Sequence, residues 1–222
     1  FTFIEAADIK ENSKFLSSVF WDGEIPEELP YKNNVFLSVL DFDDYLKLVG
    51  YFLSEGSYSL WNGKIYGISL TQRTDSKIYN EMVRISSIIK KPYIKLDNRH
   101  PNECAQIHLH SKNIAEYFNE NFSKGSQNKN IPEWILNLPK NKLEILLKAM
   151  MDGDGNVVEK NGKIKYKYTT VSKKLADQTQ EIVLKLGYNP KISIEIYNNH
   201  HKTRYDVHWS KNSFDSERSV KD

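Results

Sequence analysis

Two stretches of this chain end an apolar, helix-prone run on an acidic residue followed by glycine: Leu48-Val49-Gly50-Tyr51-Phe52-Leu53-Ser54-Glu55-Gly56-Ser57 and Leu147-Lys148-Ala149-Met150-Met151-Asp152-Gly153-Asp154-Gly155-Asn156. In each copy small residues recur four positions apart, Gly50 with Ser54 and Ala149 with Gly153. Positions i and i+4 share a helix face, so two such helices can approach with their backbones unusually close. That approach would bring Glu55 and Asp154 together. Two crowded carboxylates repel unless a cation sits between them, which predicts a divalent ion held by oxygen ligands.

The surroundings of the two runs repeat as well. The first helix is expected to start near Asp41, an N-cap with Asp44 three residues on, and to place Tyr45, Leu48, Val49 and Phe52 on one face. The second is expected to start at Asn141 after Pro139, with Glu144 completing a capping box and Leu143, Leu146, Leu147 and Met150 as the matching stripe. Each is followed by two β-prone segments around an Asn-Gly turn, Asn62-Gly63 and Asn161-Gly162, then a helix expected over 75–89 and over 173–186. Two further strands follow each helix, at 93–96 with 106–110 and at 191–197 with 204–209. The first half closes on a helix over 112–122, whereas 212–222 is polar and gives no helical pattern. The reading is an α+β protein of two pseudo-symmetric αββαββ(α) halves packed through the motif helices, their antiparallel sheets forming a saddle. Its expected boundaries are an N-terminal extension over 1–38, a first half over 39–130 and a second over 131–222, with a polar link at 123–130.

With 39% hydrophobic residues among 222, the chain can bury a proper core, and the single Cys104 excludes a disulfide framework and a Cys-based zinc site. No apolar run approaches the roughly 20 residues that cross a bilayer. No basic-then-apolar leader opens the sequence. These features predict a monomer in a reducing, intracellular, cytoplasmic setting without membrane association. The net charge of +2 is too small to mark a nucleic-acid binder, so the distribution of charge must carry that argument.

A carboxylate at a helix C-terminus opposes the helix dipole, at a cost of a few tenths to about 1 kcal/mol. One acid-Gly pair is an ordinary surface C-cap; two copies with matched hairpins ask for compensation, which a metal supplies. An EF-hand reading of the run beginning at Asp152 fails, because that loop requires Gly at its sixth position and Glu at its twelfth, where Val157 and Lys163 stand. In the second hairpin Lys163, Lys165 and Lys167 alternate strictly with Tyr166 and Tyr168, giving a basic strand face suited to phosphates. Lys191 and Arg204 extend the set. The first half offers Lys64, Tyr66, Arg73, Lys91, Lys95 and Arg99, while Gln72, Gln106, His108 and His110 suit base edges. Alternating Lys also suits a solvated edge strand that resists aggregation, and that alternative stays open here. His200 and His201 read as a hairpin tip.

Over about 41–209 the duplicated acid-ended helices resemble the paired signature helices of LAGLIDADG homing endonucleases, in the double-motif single-chain form found in inteins. Two further elements carry the likeness: Lys129-Asn130-Ile131-Pro132 resembles the family's Lys-x-Ile-Pro element, and Thr170 through Leu175 to Leu186-Gly187 its element after the second motif. Residues 1–16, with Ala6-Ala7-Asp8-Ile9-Lys10, resemble the end of an intein's N-terminal splicing half. The resemblance implies metal binding and catalysis at Glu55 and Asp154, with Lys129 assisting and Lys211 as its counterpart in the second half. It implies Mg²⁺ as cofactor, with Mn²⁺ able to substitute and Ca²⁺ able to support binding alone. Double-stranded DNA is the implied partner, cut in a staggered break at a long site. The chain lacks a nucleophilic Cys or Ser at position 1 and a terminal His-Asn pair, so splicing is not expected of it. Leu53 and Glu55 depart from the acids the family favours at those places. A catalytically silent nucleic-acid-binding module on the same scaffold, an RNA maturase or a DNA-binding regulator, is the alternative.

Overall fold

The computed structural model describes residues 21–97, 103–160, 163–197 and 202–210. The first half runs α1 (Phe42–Glu55), β1 (Gly56–Trp61), β2 (Lys64–Arg73), α2 (Tyr79–Ile89), β3 (Tyr93–Asp97), β4 (Cys104–His110) and α3 (Lys112–Phe122). After a one-turn helix α4 (Glu133–Leu136) the second runs α5 (Lys140–Asp154), β5 (Gly155–Lys160), β6 (Lys163–Thr170), α6 (Lys173–Lys185), β7 (Lys191–Glu195) and β8 (Arg204–Ser210). The two antiparallel sheets have equivalent strand orders, β1-β2-β4-β3 and β5-β6-β8-β7.

Local chemistry sets most of these boundaries. Asp41 caps α1 by accepting a hydrogen bond from Asp44 N at 2.7 Å, and Gly56 closes it. Asn62 and Gly63 both have positive φ, 47° and 76°, the backbone a two-residue hairpin turn demands. The expected turn at Asn161-Gly162 lies outside the described residues. The capping box expected at Asn141 and Glu144 does not form. Pro139, at φ −65°, takes the N-cap position, and its carbonyl accepts from Lys142 N and Leu143 N. α2 begins four residues later than expected, because Arg73 ties Asp75 into an ion pair and Ser76 and Tyr79 make turn hydrogen bonds. The short α4 was not expected.

The predicted apolar stripes are buried: Tyr45, Leu48, Val49 and Phe52 on α1, and Leu143, Leu146, Leu147 and Met150 on α5. Ile68, Leu70, Ile107 and Leu109 form the helix-facing side of the first sheet, against which α3 packs. Residues 21–40 pack onto both halves. The Tyr31 ring stacks on Tyr45 at 3.9 Å, Leu37 and Leu40 are buried, and Trp21 Nε1 donates to Leu138 O. Among the described residues no helix is long and apolar enough to cross a membrane.

Candidate functional site

α1 and α5 pack along each other, and their small residues make this possible. A Cβ built on Gly50 would lie 2.5 Å from Ala149 Cβ and 2.9 Å from Leu146 O; one on Gly153 would lie 2.5 Å from Ser54 Cβ and 3.2 Å from Glu55 Cγ. Real Cβ atoms do not approach so closely, so side chains at these two positions would force the helices apart. Ser54 Oγ, which the sequence marked only as small, donates to Met150 O at 2.8 Å and stitches the helices near their ends.

This crossing brings Glu55 and Asp154 together, as the duplication predicted, with Glu55 half-buried and Asp154 open to solvent. Burial pushes the Glu55 carboxyl above its ordinary value, the Asp154 charge pushes it further, and Lys129 opposes both. Partial desolvation beside the helix crossing likewise raises Asp154, again against Lys129. Tyr168, fully buried on β6, lies against the pair, and its hydroxyl is pushed up by burial and then by the Asp154 charge. Two adjacent carboxylates form an oxygen-donor set that fits a hard divalent cation. Among the described residues no group of three or more His, Cys, Asp or Glu side chains could hold a metal ion. An ion at this pair would therefore complete its shell with backbone carbonyls, water and phosphate.

Lys129 reaches the site in an unexpected role. Its ammonium donates to Phe52 O at 2.8 Å, Leu53 O at 2.9 Å and Gly56 O at 2.9 Å, with Ser54 O at 3.4 Å, and so caps the C-terminus of α1. A cation there complements the helix dipole and gives the terminal carbonyls a donor, Phe52 O accepting from Gly56 N as well. Burial pulls its pKa down to about 8, against the pull of Asp154 and Glu55. Leu53, where the family favours an acid, is buried in the core. Lys211 lies outside the described residues.

The proposed DNA-binding residues fall on the sheet faces turned away from the helices. In the first sheet one row across the strands reads Ser57, Ser69, His108, Tyr93, and the next places Thr71 beside Gln106 and Lys95. A bulge between Ser59 and Leu60 leaves Tyr66 unpaired with β1, and its hydroxyl meets His110 Nε2 at 3.0 Å. Lys64 stands opposite Trp61 at the hairpin end. Tyr93, His108 and His110 cluster within 5.9 Å of one another, and burial keeps both imidazoles below their ordinary pKa. The equivalent row of the second sheet is Asn156, Lys167, His208, Lys191, beside Lys165 and Ser210. Lys163 and Lys165 are exposed, with Tyr168 buried on the opposite face. Three expected phosphate contacts already have acidic partners: Arg204 with Glu195 and Asp206, Arg73 with Asp75, and Lys167 with Asp206 at 3.9 Å. Arg99, His200 and His201 lie outside the described residues.

Residues 142–218 match the family model of the LAGLIDADG-like domain. The chain carries a LAGLIDADG-like domain. The LAGLIDADG fold extends over both halves, as three solved structures illustrate. I-DmoI in complex with DNA and Mn gives a TM-score of 0.53 at 13% identity, covering 76% of this chain and 89% of that one. I-WcaI bound to its DNA recognition sequence gives 0.52 at 14% identity over 80% of each chain. The N-terminal LAGLIDADG domain of DUF199/WhiA gives 0.50 at 11% identity over 85% of each, so the fold is not confined to endonucleases by name. Curated relatives include an uncharacterized protein of Methanocaldococcus jannaschii, 30% identical over 206 residues, covering 83% of this chain and 23% of the relative. The ATP-dependent DNA helicase Hel308 of Thermococcus kodakarensis is 34% identical over 66% of this chain and 13% of its own length. An iron-sulfur cluster assembly SufBD family protein of Mycobacterium bovis is 27% identical over 76% and 19%. The chain thus spans between 13% and 23% of the length of these relatives.

Proposed function

We propose that this chain is a site-specific DNA endonuclease that hydrolyses both strands of a long target in a divalent-cation-dependent reaction and leaves a staggered break. The observation that carries the reading is the acid pair: Glu55 and Asp154, one from each half, brought together at the ends of two helices packed through Gly50 and Gly153. Glu55 and Asp154 would hold Mg²⁺ or Mn²⁺, in keeping with solved relatives described with DNA and Mn or with Mg. When bound, such an ion activates water and stabilises the leaving 3′ oxygen. The chain's own contribution is positional. The helix crossing fixes the two carboxylates, and Lys129 holds the α1 terminus that carries Glu55. The exposed sheet faces supply the duplex contacts, with Lys163, Lys165, Lys167, Lys191, Lys64 and Lys95 toward phosphates and Tyr66, Gln106 and His108 toward bases. The protein acts as a monomer, its two halves spanning the target. Shared segments in relatives as differently named as a helicase and a SufBD protein favour an inserted, intein-type element as its setting.

Cleavage of a randomised duplex library with Mg²⁺ or EDTA, sequencing the ends, tests the reading. Recurrent Mg²⁺-dependent staggered ends, lost in Asp154→Asn, are expected. A second reading, a binding module without catalysis, is favoured by the commitment of the Lys129 ammonium to carbonyls. Selective retention of one duplex or RNA with no Mg²⁺-dependent ends would establish it.

A further inference from the structure

The backbone segment that presents Lys129 is gripped by the opposite half. Gln178 on α6 brackets Ile131, accepting from Ile131 N at 2.8 Å and donating from Nε2 to Ile131 O at 2.7 Å. Ser172 Oγ donates to Lys129 O at 2.7 Å while accepting from Leu175 N as the N-cap of α6. Ser172 is fully buried, and Gln178 and Lys129 nearly so. These three bonds leave the Lys129 backbone little freedom, and its side chain spans from there to the carbonyls of Phe52, Leu53 and Gly56. A continuous path therefore joins α6 of the second half to the residues flanking Glu55 of the first.

We propose that Ser172 and Gln178 are positioning residues for Glu55, acting through Lys129, so that the second half sets the geometry of the first half's acid. The assignment rests on the reading of Glu55 and Asp154 as the cation-binding pair. Partners hydrogen-bonded to metal ligands set ligand orientation, and losing one typically costs ten- to a hundredfold in metal affinity; Ser172 and Gln178 act at a further remove, through Lys129, which places their effect at the low end of that range.

The test is a double-mutant cycle on the whole chain with Mn²⁺ as the probe, its free fraction read by electron paramagnetic resonance. Ser172→Ala and Gln178→Met are each expected to weaken Mn²⁺ binding by roughly tenfold. Ser172→Thr, which keeps the hydroxyl, is expected to restore it. In a Lys129→Met background the further loss from Gln178→Met disappears, because the path is already cut. A purely architectural Gln178 would lower the melting temperature and leave Mn²⁺ affinity unchanged, or lose affinity equally in both backgrounds; either result overturns the proposal. Amide exchange at Glu55 and Gly56 gives a metal-free arm, expected to accelerate about threefold to tenfold in Gln178→Met only when Lys129 is present. If the wild type binds no Mn²⁺ while the exchange cycle behaves so, the cation reading fails and the positioning path stands. If exchange is unaffected, the path itself is refuted.

Discussion

The two halves share an architecture and differ in what finishes it. In the first, α3 lays Phe118 and Phe122 against Phe52, and Tyr117 bonds Tyr45 at 2.8 Å, so the flank of α1 is sealed. In the second, the corresponding flank of α5 borders a cavity of about 290 Å³ whose lining includes Leu147, Met151, Val157, Tyr166 and Trp209. The helix ends differ too. Lys129 caps the carbonyls of α1 beside Glu55, and the structure gives α5 no such cap among the described residues. The open sheet faces complete the contrast: the row Ser57, Ser69, His108, Tyr93 on the first carries no lysine, whereas Asn156, Lys167, His208, Lys191 on the second carries two. Duplication thus preserved the helix crossing and the acids while the flanks, caps and faces diverged, which predicts that the halves do unequal work on a target without symmetry.

The acids are where the halves should behave alike. Glu55→Gln and Asp154→Asn are each expected to lower cleavage at a verified target by roughly a thousandfold, the rate equivalent of the several kcal/mol a bound ion supplies. Cleavage rates of the two variants, strand by strand, check this.

The flanks are where they should part. Phe52→Ala removes a fully buried ring and is expected to cost about 3–5 kcal/mol, whereas Met151→Ala beside the cavity should cost about 1 kcal/mol or less. Denaturant melts of the two variants decide it, and equal losses would break the comparison.

The helix crossing itself offers a third contrast. Gly50→Ala drives a Cβ into the backbone of Leu146 and is expected to cost about 1–3 kcal/mol. Gly153→Ala meets the side chains of Ser54 and Glu55, and should disturb cation binding more than stability. Parallel melts and Mn²⁺ titrations separate the two outcomes.

How much of this was legible in the sequence divides along physical lines. The acids, the small residues between them, the Asn62-Gly63 turn and the alternating lysines follow local rules of spacing and backbone conformation, and each lies where those rules put it. Lys129 as a helix cap, Tyr168 beside the acids and the Ser172 and Gln178 grip depend on contacts across the chain that no local pattern encodes. The capping box at Asn141 failed because Pro139 supplies a preset backbone two residues earlier. Arg204 looked free in sequence and is held by Glu195 and Asp206, partners that only strand pairing reveals.

Smaller effects sharpen the contrast between charged sites. Partial desolvation raises both acids, so the folded chain holds more protons than the unfolded one between the ordinary carboxylate pKa and the raised values. The pair's contribution to stability is therefore full below the ordinary value and falls as pH rises through the raised one. In cation-free buffer, melting temperature should decline across that window, and Asp154→Asn should flatten the decline. The smallest effect belongs to the second sheet face, where Lys165→Ala is expected to reduce the salt slope of duplex binding by roughly 0.9 without changing sequence preference. Binding isotherms over a salt series measure it.

The central claim, that one acid from each half builds a single cation site, is tested most directly by calorimetric titration of Mn²⁺ into the wild type, Glu55→Gln and Asp154→Asn. Binding in the wild type that either substitution alone removes is the predicted result. Full binding retained by either variant, or none in the wild type, would contradict it.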